Sequence, residues 1–115
     1  MCYQNSMVEI RYYVSADSRE PFAEWFAELD PVASAKITRA LARMEQGNLS
    51  NVKSVGEGVL EYRIDFGPGY RIYFGRDGDT IVILLTGGTK KRQQRDIGTA
   101  QDYWRTYKQG KRGQR

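Results

Sequence analysis

The run from Leu60 to Leu85, "LEYRIDFGPGYRIYFGRDGDTIVILL", constrains the fold more than any other part of the chain. Apolar residues recur there at every second position, the pattern of half-buried strands, and two turn signals interrupt it, Gly67-Pro68-Gly69 and Asp77-Gly78. Strands joined so tightly lie antiparallel. Closing Gly-Pro-Gly as a symmetric loop pairs Phe66 with Tyr70, Ile64 with Ile72 and Tyr62 with Phe74 on one face. The other face then sets Asp65 opposite Arg71 and Arg63 opposite Tyr73. Tracing on through a tight Asp77-Gly78 turn adds Ile81, Ile83 and Leu85 to the first face, and Val82, Leu84 and Thr86 to the second. On this reading both arginines stand away from the helix-covered core, on a face of cations, a phenol and some apolar floor.

The flanking segments supply the helices. "MVEIRYYV" alternates as a first strand, Val8 to Val14. After it, Asp17 or Ser18 is placed to cap a short helix with Pro21 in its first turn, and Phe22, Trp25, Phe26 and Leu29 form its apolar stripe. Asp30-Pro31 restarts the pattern: Asp30 is the expected N-cap, Ala33, Ile37, Ala40, Leu41 and Met44 the buried stripe, and Gly47 the left-handed C-terminal cap. "VKSV" near residue 53 begins a further strand, and after Gly88 helical spacing returns with Ile97, Ala100, Trp104 and Tyr107. The order β-α-α-β-β-β-α predicts an α+β fold: a small, mainly antiparallel twisted sheet, an N-terminal helical hairpin packed on one face, and a C-terminal helix, with the helices expected on a single face.

At 115 residues the chain is expected to be one domain, with residues 1–6 and 110–115 as flexible ends. One cysteine, Cys2, leaves no intrachain disulfide and no cysteine metal cluster, which fits a reducing cytoplasm. Met7 is an alternative start. The longest apolar run, Ile81 to Leu85, falls far short of the roughly 20 residues a spanning helix needs; no membrane role is expected. The net charge of +4 is uneven: residues 1–50 hold 5 basic against 7 acidic side chains, residues 51–115 hold 13 against 7. The second half is therefore where a polyanion would be met, and nothing in the helical first half reads as a reactive site.

Within that second half, Arg63, Arg71 and Tyr73 can form a platform for a phosphate and an unpaired base, since guanidinium groups fork onto phosphate oxygens and an aromatic ring stacks on a base. The alternative is a solvated sheet face in which Asp65 pairs with Arg71 for less than about 1 kcal/mol. "GGTKKRQQR" brings Lys90, Lys91, Arg92 and Arg95 to the start of the last helix, where consecutive cations oppose the helix dipole, and its glycine pair would let a ligand approach the backbone. "GGTKK" lacks the spacing of a nucleotide-binding Walker loop.

Together these residues resemble the RelE/ParE superfamily of bacterial toxins, in particular the HigB-like addiction-module killer branch. The carriers are the L-E-x-R-I strand, the G-x-G-Y-R-I-Y-F hairpin arm, the I-x-L-L-x-G-G-x-K strand end and the K-x-x-Q-x-x-D-I-x-x-A helix start. The resemblance implies the toxin of a type II toxin–antitoxin module: a cytoplasmic, ribosome-dependent mRNA endonuclease in which the ribose 2′-hydroxyl attacks the adjoining phosphate without a metal or other cofactor. It implies as partners the ribosome, mRNA and a helix-turn-helix antitoxin from an adjacent gene, with operator DNA met only through that antitoxin. Arg71 falls on the phosphate-holding arginine of such enzymes, with Arg63 and Lys90 or Lys91 near other basic site positions. Lys53, Arg92 and Arg95 complete the expected RNA-binding set. The sequence contains 0 histidines, so the usual imidazole acid/base pair is missing. Arginine stays protonated, and tyrosine and lysine would need large downward pKa shifts to accept a proton. Glu61 is the alternative general base, and Tyr73 could orient a base or share a proton. A ParE-like gyrase inhibitor and a catalytically silent antitoxin- or RNA-binding module remain the competing readings.

Overall fold

The computed structural model describes residues 7–113, with side chains as far as Lys111. Cys2, the segment before Met7 and the last two residues lie outside the described residues. In chain order the elements are β1 (Glu9–Tyr12), α1 (Pro21–Ala27), α2 (Pro31–Glu45), β2 (Val52–Ser54), β3 (Leu60–Ile64), β4 (Tyr70–Asp77), β5 (Ile81–Thr89), a single 3-10 turn (Lys90–Arg92) and α3 (Gln93–Gly113). The helix thus includes residues 110–113, which the sequence reading had placed in a loose tail. The strands form one mixed sheet in the order β1-β5-β4-β3-β2, with β1 parallel to β5 and every other pair antiparallel.

Local chemistry sets the helix ends much as expected. Asp30 accepts a hydrogen bond from the Ala33 amide at 2.8 Å, with Pro31 behind it in the first turn, and Gly47 takes φ 83° just past α2. α1 differs. Its cap position is Glu20 without a side-chain hydrogen bond, because Asp17 and Ser18 are spent in the preceding turn, where the Ser15 hydroxyl donates to Asp17.

The faces of the sheet are where expectation and structure part. Arg63 is the partner of Arg71, and Glu61 that of Tyr73. The Gly-Pro-Gly loop takes in residues 65–69, so each pairing slips by two residues while the faces are kept; Asp65 leaves the ladder and does not oppose Arg71. At the next hairpin Asp77 pairs with Ile81 and Phe74 with Leu84. That loop holds residues 78–80, one more than a two-residue turn. Since a one-residue change of register sends every side chain to the opposite face, Val82 and Leu84 join Tyr62, Tyr70, Ile72 and Phe74 on one side, while Ile83 and Leu85 join Tyr73 on the other. An irregularity between Tyr73 and Phe74 then shifts the register again, to Tyr73 opposite Thr86.

Two cores follow, and the helices do not share one face. Phe22 of α1 and Ala33, Ile37, Ala40 and Met44 of α2 close the first core. α3 closes the second, packing Ala100 and Trp104 on Val59, Tyr73, Ile83 and Leu85. The arginine face is therefore covered by a helix. Glycines admit the bulky rings: a Cβ at Gly75 would lie 2.5 Å from the Trp104 ring, and one at Gly87 would overlap Trp25. Near its far end α3 is tied down by Tyr107 and Lys111, which donate to Asp77 Oδ2 at 2.5 and 2.7 Å.

Gly75→Ala is expected to cost about 1–3 kcal/mol of stability by overpacking against Trp104. Gly98→Ala, on α3 with nothing within 4 Å of an added Cβ, is expected to gain up to about 1 kcal/mol from helix propensity. Urea midpoints of the two variants should move in opposite directions; a neutral Gly75→Ala would refute the close seating of Trp104.

Candidate active site

The covered arginine face holds a buried polar cluster. Glu61 of β3 is fully buried and Arg71 of β4 is 3% exposed. Arg71 Nε lies 3.7 Å from Glu61 Oε2, too long for a hydrogen bond, and Gln93 at the start of α3 donates to the same oxygen at 2.8 Å. Tyr73 is fully buried beside them. Among the described residues Glu61 Oε1, Arg71 Nε and the Tyr73 hydroxyl have no hydrogen-bond partner within the protein. Each such atom costs roughly 1–3 kcal/mol, so a cluster with three of them is a feature folding alone does not favour.

Lys90 joins this cluster through the backbone. The Gly69 carbonyl accepts both from the Lys90 amide at 2.8 Å and from Arg71 Nη1 at 3.3 Å. The main chain of Lys90 and the guanidinium of Arg71 are thus tied to one carbonyl. Lys91, Arg92 and Arg95 continue outward from that point, all exposed, around a hollow of about 410 Å³. Arg63 and Lys53 are also exposed and line a groove that rounds the β2–β3 edge; as strand partners of Arg71 and Glu61 they stand on the same sheet face as the cluster. Of the residues expected in one site, Arg71, Tyr73, Glu61 and Lys90 come together. Lys91, Arg92 and Arg95 flank them, and Arg63 and Lys53 continue the same face outward to the β2 edge.

The structure changes two chemical expectations. Tyr73 cannot offer its ring to a base, because it is enclosed on all sides. Burial first, and the nearby Glu61 carboxylate second, push its phenol well above the ordinary tyrosine value, the reverse of what a proton acceptor at neutral pH requires. Glu61 is close enough for its charge to be felt there, without hydrogen-bond geometry. The glycine pair does not admit a ligand to the backbone either: Gly87 receives Trp25, and a Cβ at Gly88 would overlap Asp96 Oδ2.

Asp96 is the residue that sequence reasoning left without a role. It lies on α3, half-buried, with its carboxylate pressed against Gly88, the strand partner of Arg71. Burial raises its pKa, and that outweighs the lowering by Arg92 and Arg95. The signal was available: a small residue at Gly88 and an acid in the first turn of α3. Only the fold shows that they touch. Among the described residues, no three of the His, Cys, Asp and Glu side chains are grouped so as to hold a metal ion.

Comparison with known proteins supplies the class. Residues 24–109 match the family of the phage-derived protein Gp49-like type, three-quarters of the chain, and the chain belongs to that family. It is a toxin-like, addiction-module family. An uncharacterized protein of Haemophilus influenzae is 42% identical over 80 residues, spanning 69% of this chain and 81% of its own length. Among the described residues no helix is long and apolar enough to cross a membrane.

Because the folded-state pKa of Asp96 is raised above 3.8, its contribution to stability is complete below that value and is lost as pH rises through the folded-state pKa. Asp96→Asn is therefore expected to be more stable than the parent at neutral pH, with the difference vanishing in acid. Denaturation midpoints across pH measure this; a variant less stable at neutral pH would mean that Arg92 and Arg95 outweigh burial.

Proposed function

We propose that this chain is the toxin of a toxin–antitoxin pair and acts as a ribosome-dependent, metal-independent mRNA endonuclease. The observation that carries the reading is the buried Glu61–Arg71–Tyr73 cluster, with three unpaired polar atoms, joined at the Gly69 carbonyl to Lys90 at the edge of a basic hollow. Unpaired polar groups beneath a ring of cations suit a group whose charge develops only in the transition state.

In this reading the 2′-hydroxyl of one nucleotide attacks the adjoining phosphorus, the P–O5′ bond breaks, and a 2′,3′-cyclic phosphate and a 5′-hydroxyl end are left. Arg71 and Lys90, with Lys91 beside it, stabilise the charge on the pentavalent phosphorus. Asp96 is better placed than Glu61 to accept the 2′-hydroxyl proton, because Glu61 is fully buried whereas Asp96 is only half-buried, and burial raises the pKa of Asp96 above the ordinary aspartate value. Glu61 and Gln93 position Arg71, and Tyr73 walls the pocket. Arg92 and Arg95 grip the strand electrostatically. The guanidinium of Arg71 is 3% exposed, so a phosphate reaches it after the Lys90–Arg92 turn shifts from Gly69. The same cationic face is the surface an antitoxin would neutralise.

The burial of Arg71 also favours a second reading, in which it is a structural partner for Glu61 and the chain binds without cutting. One assay separates the two. Ribosomes programmed with a defined mRNA are expected to yield cuts within translated codons. Lys90→Ala/Lys91→Ala, a change confined to exposed side chains, is expected to slow them by about a hundredfold or more while leaving the thermal midpoint near that of the parent. Undiminished cutting by that variant would refute the assigned site. Uncut mRNA with retained binding would favour the silent module, and intact mRNA with a DNA-damage response in expressing cells the gyrase inhibitor.

A further inference from the structure

We propose that the groove between α2 and the β2–β3 edge is a second RNA site, holding a phosphodiester backbone along α2 and around the edge of the sheet. This rests on the ribonuclease reading above and extends it to how the RNA is held.

The groove is a hollow of about 550 Å³, lined by Lys36, Arg39 and Arg43 of α2 and by Lys53 and Arg63 at the strand edge, with Asp65 as its one carboxylate. At a rise of 1.5 Å per residue the three helical cations span about 10 Å along one side of α2. Among the described residues none of the five cations is in an ion pair, whereas Arg11, Arg19, Arg105 and Lys111 each hold a carboxylate within 2.8 Å. Like charges at Arg39 and Arg43, four residues apart on a helix, repel. An unneutralised cationic row that lines a concavity is complementary to an extended anion.

Two features select a nucleic-acid backbone as that anion. No aromatic ring is free for base stacking: Tyr62 is 3% exposed, and the Lys36 ammonium covers the Phe66 ring at 4.8 Å. Recognition there is by phosphate, without reading bases. A protein segment would need exposed apolar anchors; Val52, Ile64 and Phe66 in this groove are half-buried beneath the cations, and the large exposed apolar side chains, Met7, Tyr12, Val14 and Val32, lie elsewhere. Its strand-edge residue Arg63 is the partner of Arg71. The two side chains share one face, so a backbone that runs along α2 and rounds the edge at Arg63 arrives one strand away from the reacting cluster, where it can fix the toxin against structured RNA while a separate strand is cut.

The test is binding of a short RNA hairpin to the full chain over a range of salt concentrations. Lys36→Gln/Arg39→Gln/Arg43→Gln is expected to weaken binding at least about tenfold at low salt. It is also expected to lower the slope of log K against log salt by about 2–3, close to one per lost phosphate contact. The denaturation midpoint of the triple variant should stay with that of the parent, and Lys90→Ala/Lys91→Ala should keep the share of the slope that α2 supplies. Unchanged affinity and slope in the triple variant would overturn the proposal. So would polyglutamate binding as tightly as the hairpin and being lost in the same variant, which would make the groove a site for an acidic protein segment. If the chain proves not to cut mRNA, the hairpin measurement still decides the groove, because the hairpin is bound and not cleaved.

Discussion

The meeting of Glu61 and Arg71 inside the protein is the constraint around which the rest is arranged. Two opposite charges withdrawn from water gain from each other only if the surroundings complete their hydrogen bonds, and here they do so in part. Gln93 supplies one bond to Glu61, and the Gly69 carbonyl supplies one to Arg71. Removing either charge would strand the other, a loss of about 3–5 kcal/mol for such pairs. Both supporting groups are positioned by long-range structure. Gln93 requires α3 to start where β5 ends, and the Gly69 carbonyl is also bound by the Lys90 amide. The pair therefore fixes the cationic turn between strand and helix as much as that turn covers the pair.

What was legible in the sequence was what short-range chemistry decides. Asp30 and Gly47 bound α2 because a side-chain oxygen and a left-handed glycine act within one turn of helix. The strand run from Leu60 was legible because alternation is read residue by residue. The face assignment of β5 was not. It turned on whether the loop after Asp77 holds two residues or three, and a single residue inverted the neighbours of every side chain from Ile81 to Leu84. α3 as a cover over the arginine face was illegible for a related reason: the niche for Trp104 is made by Gly75, and a glycine in a strand does not announce what will fill it.

The site was legible as a set of residue types and less so as a geometry. Arg71 and Lys90 meet at one carbonyl, yet that carbonyl belongs to Gly69, a residue whose sequence signal is only that of a turn former. Tyr73 was assigned a stacking role that full burial forbids. Asp96 carries no legible task in the sequence, because a carboxylate among four cations reads as local neutralisation until its contact with Gly88 is seen. The cations of α2 do not stand out in sequence because Lys36, Arg39 and Arg43 at helical spacing look like the solvated side of an amphipathic helix.

Counting along the chain placed the anion-binding half after residue 50, since the first half is net acidic. Folding redistributes the balance: of the acidic residues in that half, Glu9 and Glu24 are bound by Arg11 and Arg19, whereas Lys36, Arg39 and Arg43 turn toward a hollow with a single carboxylate. Net charge over a stretch of sequence says how many counterions accompany it, whereas the field at a concave surface depends on which charges share that surface and which are already paired. A segment that is acidic on balance can thus supply the cationic wall of a groove, and because Arg63 and Arg71 share one face across β3 and β4, the cations of α2 and those around the buried cluster can engage one polyanion around the edge of the sheet.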